Sequence, residues 1–359
     1  MKITIVGGGN IGTQFAVHCA EKGHDVIVYT SSPELYDGYL NIVGENNQIT
    51  HEGYIDLATN DPHKAFEKAD VIIVTLPATM MDKIADIIYD HTGINTIIGV
   101  VPGNGGSECA FKKSIERGNV FFSIERVPAI ARLILKGKSV KSTGYRDELH
   151  VAALPGFYAE KCAHLIADIF DIKTTVIHNY LNLTMTPSNP ILHTTRLFTI
   201  FRDWHDGVVY GSVPLFYEEW DDASSELLIA CDEEVQSICK ALPEFDLSHV
   251  KSLRDHYESH TAREMTKKIS SIKPFKGLTT PSVKVDGGFI PDLHSRYFTA
   301  DFSYGLSIIK QIADIADVQT PNLDNVMSWY RNIAIEKKEF RFENYGIVNK
   351  EKLASYYLK

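Results

Sequence analysis

The chain of 359 residues is 44% hydrophobic and 23% charged, which is the composition of an ordinary globular protein. This length exceeds that of one typical domain, so we expect two domains. The formal net charge of −10 at pH 7 opposes binding to nucleic acid, because phosphate backbones attract basic surfaces. No apolar run approaches the roughly 18 residues that span a bilayer, so we expect no membrane partner.

Five cysteines are scattered along the chain without C-x-x-C spacing. They are Cys19, Cys109, Cys162, Cys231 and Cys239. This pattern predicts reduced thiols, with neither a disulfide framework nor a metal site. A strand is predicted from residue 2 onward and leaves no room for a secretory signal, so we expect a cytoplasmic protein.

The first 32 residues form the strongest pattern in the chain. Lys2–Val6 is a predicted strand, and Gly7, Gly9 and Gly12 follow it at G-x-G-x-x-G spacing. An apolar stripe then predicts a helix, and Val26–Tyr29 predicts a second strand. A strand, a glycine turn and a helix within a unit of about 30 residues are the context that makes this motif a dinucleotide-binding turn.

The glycines and the start of the helix have separate roles in such a turn. The first glycine permits the tight turn, the second lets the backbone approach a pyrophosphate, and the third lets helix and strand pack closely. The first helical turn, which includes Asn10 and Ile11, presents free N–H groups and a positive dipole end to the phosphates. The alternative is a turn that serves backbone geometry alone.

The end of the second strand predicts which nicotinamide cofactor is bound. An acidic residue there would bind the adenosine ribose 2′-OH and repel a 2′-phosphate. This chain has Thr30, Ser31 and Ser32 instead, with Glu34 further on. The hydroxyls favour NADP(H) over NAD(H), although no arginine follows to hold the phosphate and such residues are also ordinary in turns.

Strands and helices alternate through the rest of this half. The predicted elements are a hairpin within Asn41–Asn60, helix Pro62–Lys68, strand Val71–Leu76, helix Met80–Tyr89, strand Ile97–Val101, helix Ser107–Arg117, strands Val120–Ser123, Lys136–Tyr145 and Leu149–Leu154, helix Gly156–Ile169 and strand Lys173–Ile177. The alternation predicts a doubly wound parallel sheet of the Rossmann type. Ligands bind at the carboxyl ends of such strands, so Leu76, Pro77, Gly103 and Asn104 are expected to face the cofactor.

The periodicity changes to helical spacing beyond a polar segment, Asn182–Ser188. We therefore predict an α/β domain over residues 1–185 and an all-α domain over residues 186–359. The predicted helices of the second domain are Asn189–Phe201, Ala223–Leu242, Val250–Lys267, Tyr304–Ile315 and Leu323–Ile335.

Two stretches of the second half combine polar groups with a constrained backbone. In the first, Pro190 suits a first helical turn and His193 lies about one turn in, where an imidazole can exchange protons near neutral pH. Arg196, one turn further, could face the same way and bind a carboxylate. In the second, Asp301 either caps a helix or orients His193 as in a His–Asp dyad.

Together these stretches resemble the opine dehydrogenase family, which includes octopine and nopaline dehydrogenases. The resemblance rests on N-P-x-x-H and R-Y-x-x-x-D-x-x-Y-G-L, formed by Asn189, Pro190, His193, Arg296, Tyr297, Asp301, Tyr304, Gly305 and Leu306. It implies that His193 is the general acid/base and Asp301 its partner. It further implies that Asn189 contacts the nicotinamide or the substrate. The cation expected to bind the substrate carboxylates is Arg196, Arg202 or Arg296, and Tyr297 is also expected to bind the substrate.

The family resemblance implies an NAD(P)H-dependent oxidoreductase that condenses an amino acid with a 2-oxo acid and reduces the imine. Small molecules are the expected partners, and a homodimer is an open alternative to a monomer. A 2-dehydropantoate or hydroxy-acid ketone reductase shares this architecture but usually has a lysine where this chain has Asn189–His193. A third alternative is a regulator that senses NADP(H) without turnover, in which a His–Asp dyad would be superfluous.

Two positions depart from the family pattern. Members usually carry Glu-Asp where this chain has Ala300-Asp301, so one carboxylate beside the dyad is missing. The segment Phe216–Trp220 lacks the usual glycine and proline, and we expect it to influence amino-acid specificity.

Overall fold

The computed structural model describes residues 1–103, 105–186, 188–335 and 338–359. It divides into two compact units, one made of Met1–Thr184 with Ser355–Lys359 and the other of Met185–Ala354. The predicted second domain, residues 186–359, is therefore corrected at its end. The reason is a pair of hydrogen bonds, since Tyr356 Oη donates to the carbonyl of Glu108 and Tyr357 Oη to its Oε1, each at 2.6 Å.

Twelve strands are described in the first unit. They are β1 (Lys2–Val6), β2 (Asp25–Tyr29), β3 (Tyr39–Val43), β4 (Ile49–Tyr54), β5 (Leu57–Thr59), β6 (Val71–Val74), β7 (Ile97–Val100), β8 (Phe121–Ile124), β9 (Ile130–Leu135), β10 (Ser139–Thr143), β11 (Glu148–Leu154) and β12 (Lys173–Val176). Helices follow or separate them as α1 (Asn10–Glu21), α2 (Pro62–Phe66), α3 (Met81–His91), α4 (Ser107–Ala110), α5 (Lys112–Arg117), α6 (Ala159–Phe170) and α7 (Leu181–Met185).

Eight of the strands form the main sheet, in the order β12-β11-β8-β7-β6-β1-β2-β5. All neighbours are parallel except β11 and β8. From β5 to β8 this is the doubly wound order of dinucleotide-binding folds, in which the ligand crevice lies where the winding reverses. Here the reversal falls between β1 and β6, and the predicted Rossmann-type sheet is confirmed.

A second sheet, in the order β4-β3-β10-β9, contains the predicted hairpin as β3 and β4. The predicted strands Lys136–Tyr145 and Leu149–Leu154 follow each other in the chain but belong to different sheets. The first becomes β10, which pairs with β9 and β3, whereas the second becomes β11 of the main sheet. Strand β9 was not predicted; its sequence, IARLIL, is an apolar run without alternation of apolar and polar residues.

The second unit is built mainly of helices. They are α8 (Asn189–Phe201), α9 (Asp222–Ala241), α10 (Leu253–His256), α11 (Ala262–Ser270), a wide π helix (Tyr297–Leu306), α12 (Ser307–Ile315), α13 (Pro321–Ile333) and α14 (Lys350–Tyr357), whose last residues belong to the first unit. One hairpin, β13 (Ser282–Val285) with β14 (Gly288–Pro291), adds to the predicted helical domain. Among the described residues, no helix is both long and apolar enough to cross a membrane.

Two predicted helices are interrupted. The helix predicted over Val250–Lys267 is wrong, because Glu258 adopts a left-handed φ of 50° and Thr261 starts α11 with a capping box. The helix predicted over Ser107–Arg117 forms as α4 and α5, which are separated at Phe111. Its buried aromatic ring stacks on Phe121, with centroids 5.4 Å apart, so packing against β8 accompanies the break.

A buried carboxylate positions α10 against α9. Asp232 is 4% exposed, and its Oδ2 accepts a hydrogen bond of 2.8 Å from the backbone N–H of Leu253, the first residue of α10. Burial raises the pKa of Asp232 from 3.8 to about 6, even though this hydrogen bond acts in the opposite direction. The folded state therefore favours the protonated acid.

The consequence is a loss of stability as the pH rises. Because the folded pKa is the higher one, the folded protein binds more protons between pH 4 and 6, and the free energy of unfolding falls across that window. In Asp232→Asn the amide oxygen can still accept from Leu253 but has no charge to bury. We expect this variant to gain up to about 3 kcal/mol over the wild type at pH 8 and almost nothing at pH 4.

Urea denaturation at the two pH values measures this difference. Exposed Asp286 supplies a matched control, since Asp286→Asn should leave the pH dependence of stability unchanged. A gain of equal size at both pH values would show that the ionisation of Asp232 is not its cause.

Candidate active site

The glycine turn has the geometry that a pyrophosphate site requires. Gly7 has a left-handed φ of 104°, which favours glycine. A Cβ on Gly12 would lie 1.7 Å from the carbonyl oxygen of Gly7, so α1 can approach β1 only without a side chain there. Gly9 is exposed and faces open space at the start of α1. It has no capping side chain, so the first N–H groups of α1 remain available to an anion.

Asn10 and Ile11, predicted as cofactor contacts, begin α1. Asn10 Oδ1 accepts a 2.8 Å hydrogen bond from the N–H of Leu133, so this side chain holds β9 beside the start of the helix. Ile11 is half-buried and packs against the core. Both side chains are thus engaged within the fold.

The hydroxyl residues at the end of β2 meet a cation that the sequence analysis missed. Lys136 Nζ donates to Ser32 Oγ at 3.0 Å, and Thr30 Oγ1 accepts from the N–H of Ser32 at 3.3 Å. Ser31 is exposed beside them. Lys136 lies 104 residues from Ser32 in the turn between β9 and β10, and no local motif marks it.

Tyr36 is a second residue that the sequence did not single out. A Cβ on Gly8 would lie 2.0 Å from its hydroxyl oxygen, so this hydroxyl lies directly against the glycine turn. Thr30, at the end of β2, lies beside the same hydroxyl. A hydroxyl beside a phosphate-binding turn fits a bound dinucleotide, whose ribose and phosphate oxygens can accept from it.

The remaining predicted contacts follow β6 and β7. Leu76 is half-buried, with its Cδ2 3.0 Å from the position of a Cβ on Gly7, and Pro77 is exposed at the same edge. Gly103 is buried, and a Cβ there would lie 2.2 Å from Cβ of Ser123. Asn104 lies outside the described residues.

In the second unit, the structure brings together the two stretches that the sequence could not join. A Cβ on Gly305 would lie 2.6 Å from Cβ of Pro190, so the π helix and α8 approach closely at this glycine. Beside that crossing, His193 Nδ1 and Asp301 Oδ2 are 2.7 Å apart. A carboxylate at Nδ1 fixes the neutral imidazole with its proton on Nδ1 and an acceptor lone pair on Nε2.

The second nitrogen of His193 is also engaged. Its Nε2 lies 2.7 Å from Tyr217 Oη, and the phenol hydroxyl donates to it in this tautomer. Tyr297 stacks on the imidazole, with ring centroids 4.1 Å apart and planes at 22°. The side chain of His193 is 3% exposed and that of Asp301 is 19% exposed. Burial, followed by the neighbouring Tyr297, raises the pKa of the Tyr217 phenol.

The structure corrects the role that the sequence predicts for Arg196. Its fully buried guanidinium donates from Nε to the carbonyl of Phe216, from Nη1 to Asp221 Oδ2 and Ser224 Oγ, and from Nη2 to the carbonyl of Glu219. All three nitrogens are thus used inside the fold. The prediction that Arg196 binds a substrate carboxylate is wrong, because burial and these partners leave it no access to a ligand.

Other predicted substrate contacts lie at helix starts. Asn189 is exposed at the first residue of α8. Arg296 is exposed directly before the π helix, next to the half-buried Tyr297. Within the described part of the chain, no ion pair or hydrogen bond engages the guanidinium of Arg296, in contrast to that of Arg196. It is therefore available to an anion.

Comparison with known proteins agrees with this geometry. Residues 176–334 match the family described as NAD/NADP octopine/nopaline dehydrogenase, alpha-helical domain. Residues 2–103 match the N-terminal domain of NAD-dependent glycerol-3-phosphate dehydrogenase. An opine dehydrogenase from Haliotis discus hannai is 30% identical over 91% of this chain and 89% of its own length. Tauropine dehydrogenase from Arabella iricolor is 26% identical over 92% and 91%.

A solved structure shares the whole fold. Octopine dehydrogenase with NADH and L-arginine superposes with a TM-score of 0.86 at 23% identity, over 99% of this chain and 98% of that one. The glycine turn, the His193–Asp301 pair and the full-length similarity to a 30% identical relative lead to one conclusion. This chain belongs to the opine dehydrogenase family of NAD(P)-dependent oxidoreductases.

Proposed function

We propose that the protein joins an amino acid to a 2-oxo acid by reductive condensation and releases a secondary-amine dicarboxylate. The observation that carries this proposal is the 2.7 Å contact between His193 Nδ1 and Asp301 Oδ2, within a chain of this family. Solved octopine dehydrogenase structures with L-arginine and with pyruvate supply the substrate classes by analogy. L-arginine is an amino acid and pyruvate is a 2-oxo acid.

The first unit supplies residues that fit a dinucleotide. The turn from Gly7 to Gly12 offers helix N–H groups to the pyrophosphate, and the Tyr36 hydroxyl lies against the same turn. When bound, the reduced nicotinamide supplies the hydride that reduces the imine carbon.

His193 and Asp301 manage the protons of the condensation. The amine of an amino acid must lose a proton before it attacks the ketone, and the resulting hydroxyl must gain one before it leaves as water. An imidazole exchanges protons near neutral pH, and the carboxylate of Asp301 stabilises the imidazolium that forms in between. Nδ1 is held by Asp301, so the proton moves through Nε2.

Both substrates carry carboxylates, whereas the chain has a net charge of −10. A local cation is therefore needed. We assign this role to Arg296, which is exposed and immediately precedes Tyr297, the residue stacked on His193 at 4.1 Å. Asn189, exposed one turn before His193 on α8, is assigned a hydrogen bond to substrate or nicotinamide.

His193→Ala tests the assignment of the acid/base group. We expect turnover to fall by about 10²- to 10⁴-fold, because proton transfer loses its positioned group. Cofactor affinity should stay within about threefold, since the glycine turn that carries the pyrophosphate site lies in the other unit. The assay follows oxidation of NADH or NADPH over a matrix of amino acids and 2-oxo acids.

Exposed His260 provides the matched control, because His260→Ala removes an imidazole of the same unit without touching the dyad. Near-wild-type turnover in His193→Ala would refute the assignment. Wild-type oxidation that needs the 2-oxo acid but no amine would favour a ketone reductase instead.

We further propose that the cofactor is NADP(H), with its 2′-phosphate held at the end of β2. The support is the 3.0 Å contact between Lys136 Nζ and Ser32 Oγ, beside Thr30 and where β2 ends without a carboxylate. A lysine and hydroxyl donors at this position favour a phosphate dianion, whereas an acidic residue would repel it.

Lys136→Gln should therefore weaken NADPH binding by about tenfold or more, because a hydrogen bond to a charged group is lost. NADH, which has no 2′-phosphate, should bind within about twofold of the wild type. Titrations of nicotinamide fluorescence measure both dissociation constants. Lys141→Gln is the control, since Lys141 is on β10 but contacts Asn47. An equal change for both cofactors, or no change for either, would contradict the proposal.

A further inference from the structure

Each ring nitrogen of His193 lies within hydrogen-bonding distance of a protein oxygen atom. Nδ1 lies 2.7 Å from Asp301 and Nε2 lies 2.7 Å from the hydroxyl of Tyr217. The residue as a whole is 2% exposed. An imidazole in this position has no free nitrogen with which to meet a substrate, so its proton must pass through a neighbouring group or that neighbour must leave.

The neighbour is held firmly. The ring of Tyr217 stacks on Phe275, with centroids 4.4 Å apart and planes at 27°, and Phe216 meets it edge-on at 4.9 Å. Phe216 also meets His193 edge-on at 5.6 Å, so one aromatic ring braces both members of the hydrogen bond. Moving Tyr217 away from Nε2 would break this packing, which favours transfer through the hydroxyl over displacement of the ring.

We propose that the hydroxyl of Tyr217 is the group that exchanges protons with the substrate, as the outer end of a chain from Asp301 through His193. This inference rests on the proposed function and adds a catalytic residue to it. The family motifs in this chain contain His193 and Asp301 but not Tyr217.

The proton balance of the relay closes without a cofactor. As the ammonium of the amino acid gives a proton to Tyr217 Oη, the hydroxyl proton moves to Nε2, which leaves a free amine and an imidazolium paired with Asp301. The amine attacks the ketone carbon, and one of the two protons left on its nitrogen moves to the former ketone oxygen, which gives a neutral carbinolamine. The imidazolium then returns its proton to Tyr217 Oη while the hydroxyl proton passes to the carbinolamine oxygen, the C–O bond breaks, and water leaves an iminium ion.

Burial suits Tyr217 to this concerted exchange. The pKa of the phenol is raised by burial first and by Tyr297 second, so a free phenolate is disfavoured. A proton can therefore arrive on the oxygen only as the hydroxyl proton moves on to the next group. Asp301 takes no proton in this scheme and only stabilises the imidazolium.

Tyr217→Phe removes the hydroxyl and keeps the stacked ring. We expect kcat for the two-substrate reaction to fall by about 100-fold or more, with the NADPH dissociation constant within about threefold of the wild type. Tyr330→Phe is the matched control, because Tyr330 is also buried in the second unit and its hydroxyl contacts Ser303 at 2.7 Å. That control should retain activity within about threefold.

Nitrogen-15 NMR of histidine-labelled protein reads the relay without turnover. We expect His193 to carry its proton on Nδ1 and to show a hydrogen-bonded acceptor at Nε2, and Tyr217→Phe to move mainly the Nε2 resonance. The wild-type spectrum alone decides the tautomer, so a variant that fails to fold leaves this measurement intact. A proton on Nε2 with a bare Nδ1 would overturn the relay.

Different measurements overturn the relay through Tyr217 and the proposed function. If the wild type needs both substrates and Tyr217→Phe stays within about threefold of it or becomes faster, the relay is overturned and the proposed function stands. A faster variant would mean that the Tyr217 hydroxyl blocks Nε2 of His193 until the substrate displaces it. If the wild type needs no amine, the proposed function is overturned, and the condensation steps assigned to Tyr217 fall with it.

Discussion

The contact between His193 and Asp301 depends on the close approach of the π helix to α8 at Gly305 and Pro190. Only a residue without a side chain fits there, since a Cβ would lie 2.6 Å from two ring carbons of Pro190. The approach sets Asp301 Oδ2 at 2.7 Å from His193 Nδ1, and this contact determines the tautomer. The tautomer in turn leaves an acceptor at Nε2 for the hydroxyl of Tyr217. The positions of these three side chains thus depend on how closely the two helix backbones pack.

Charged groups in the fold separate into those that support structure and those left for ligands. Arg196 is fully buried and satisfied by the segment from Phe216 to Ser224, and it fixes the segment that carries Tyr217. Removing the guanidinium would leave buried acceptors such as the carbonyl of Phe216 without a partner, so Arg196 stabilises this segment. Arg296 is exposed and uncommitted among the described residues. In a chain of net charge −10, such a cation matters for an anionic substrate.

The elements that could be predicted from the sequence are those that depend on the spacing of residues close together in the chain. The glycine turn, the strands of the main sheet other than β5 and the helix Asn189–Phe201 were evident because spacing within a few residues determines them. His193 and Asp301 were paired only by resemblance to the family, since 108 residues separate them. Lys136 was not singled out for the same reason, because its partner Ser32 is 104 residues away in the chain.

Arg196 shows why correct spacing can still mislead. It follows His193 by three residues on α8, so helical geometry does place the two on one side. The spacing could not reveal that the segment after Pro214 folds over the guanidinium. Carbonyl groups of this segment accept hydrogen bonds from Nε and Nη2 of Arg196. The same segment, singled out because it departs from the family pattern, carries Tyr217. Its importance was therefore detectable, but its contact with Nε2 required the fold.

The central claim is that the protein reduces an imine formed from two substrates. Its most direct test follows the hydride from NADPH deuterated at C4 of the nicotinamide into product, identified by mass spectrometry. We expect a secondary-amine dicarboxylate that carries the deuterium on the former ketone carbon and forms only when an amino acid and a 2-oxo acid are both present. Deuterium found instead in a 2-hydroxy acid, with or without the amino acid, would contradict imine reduction.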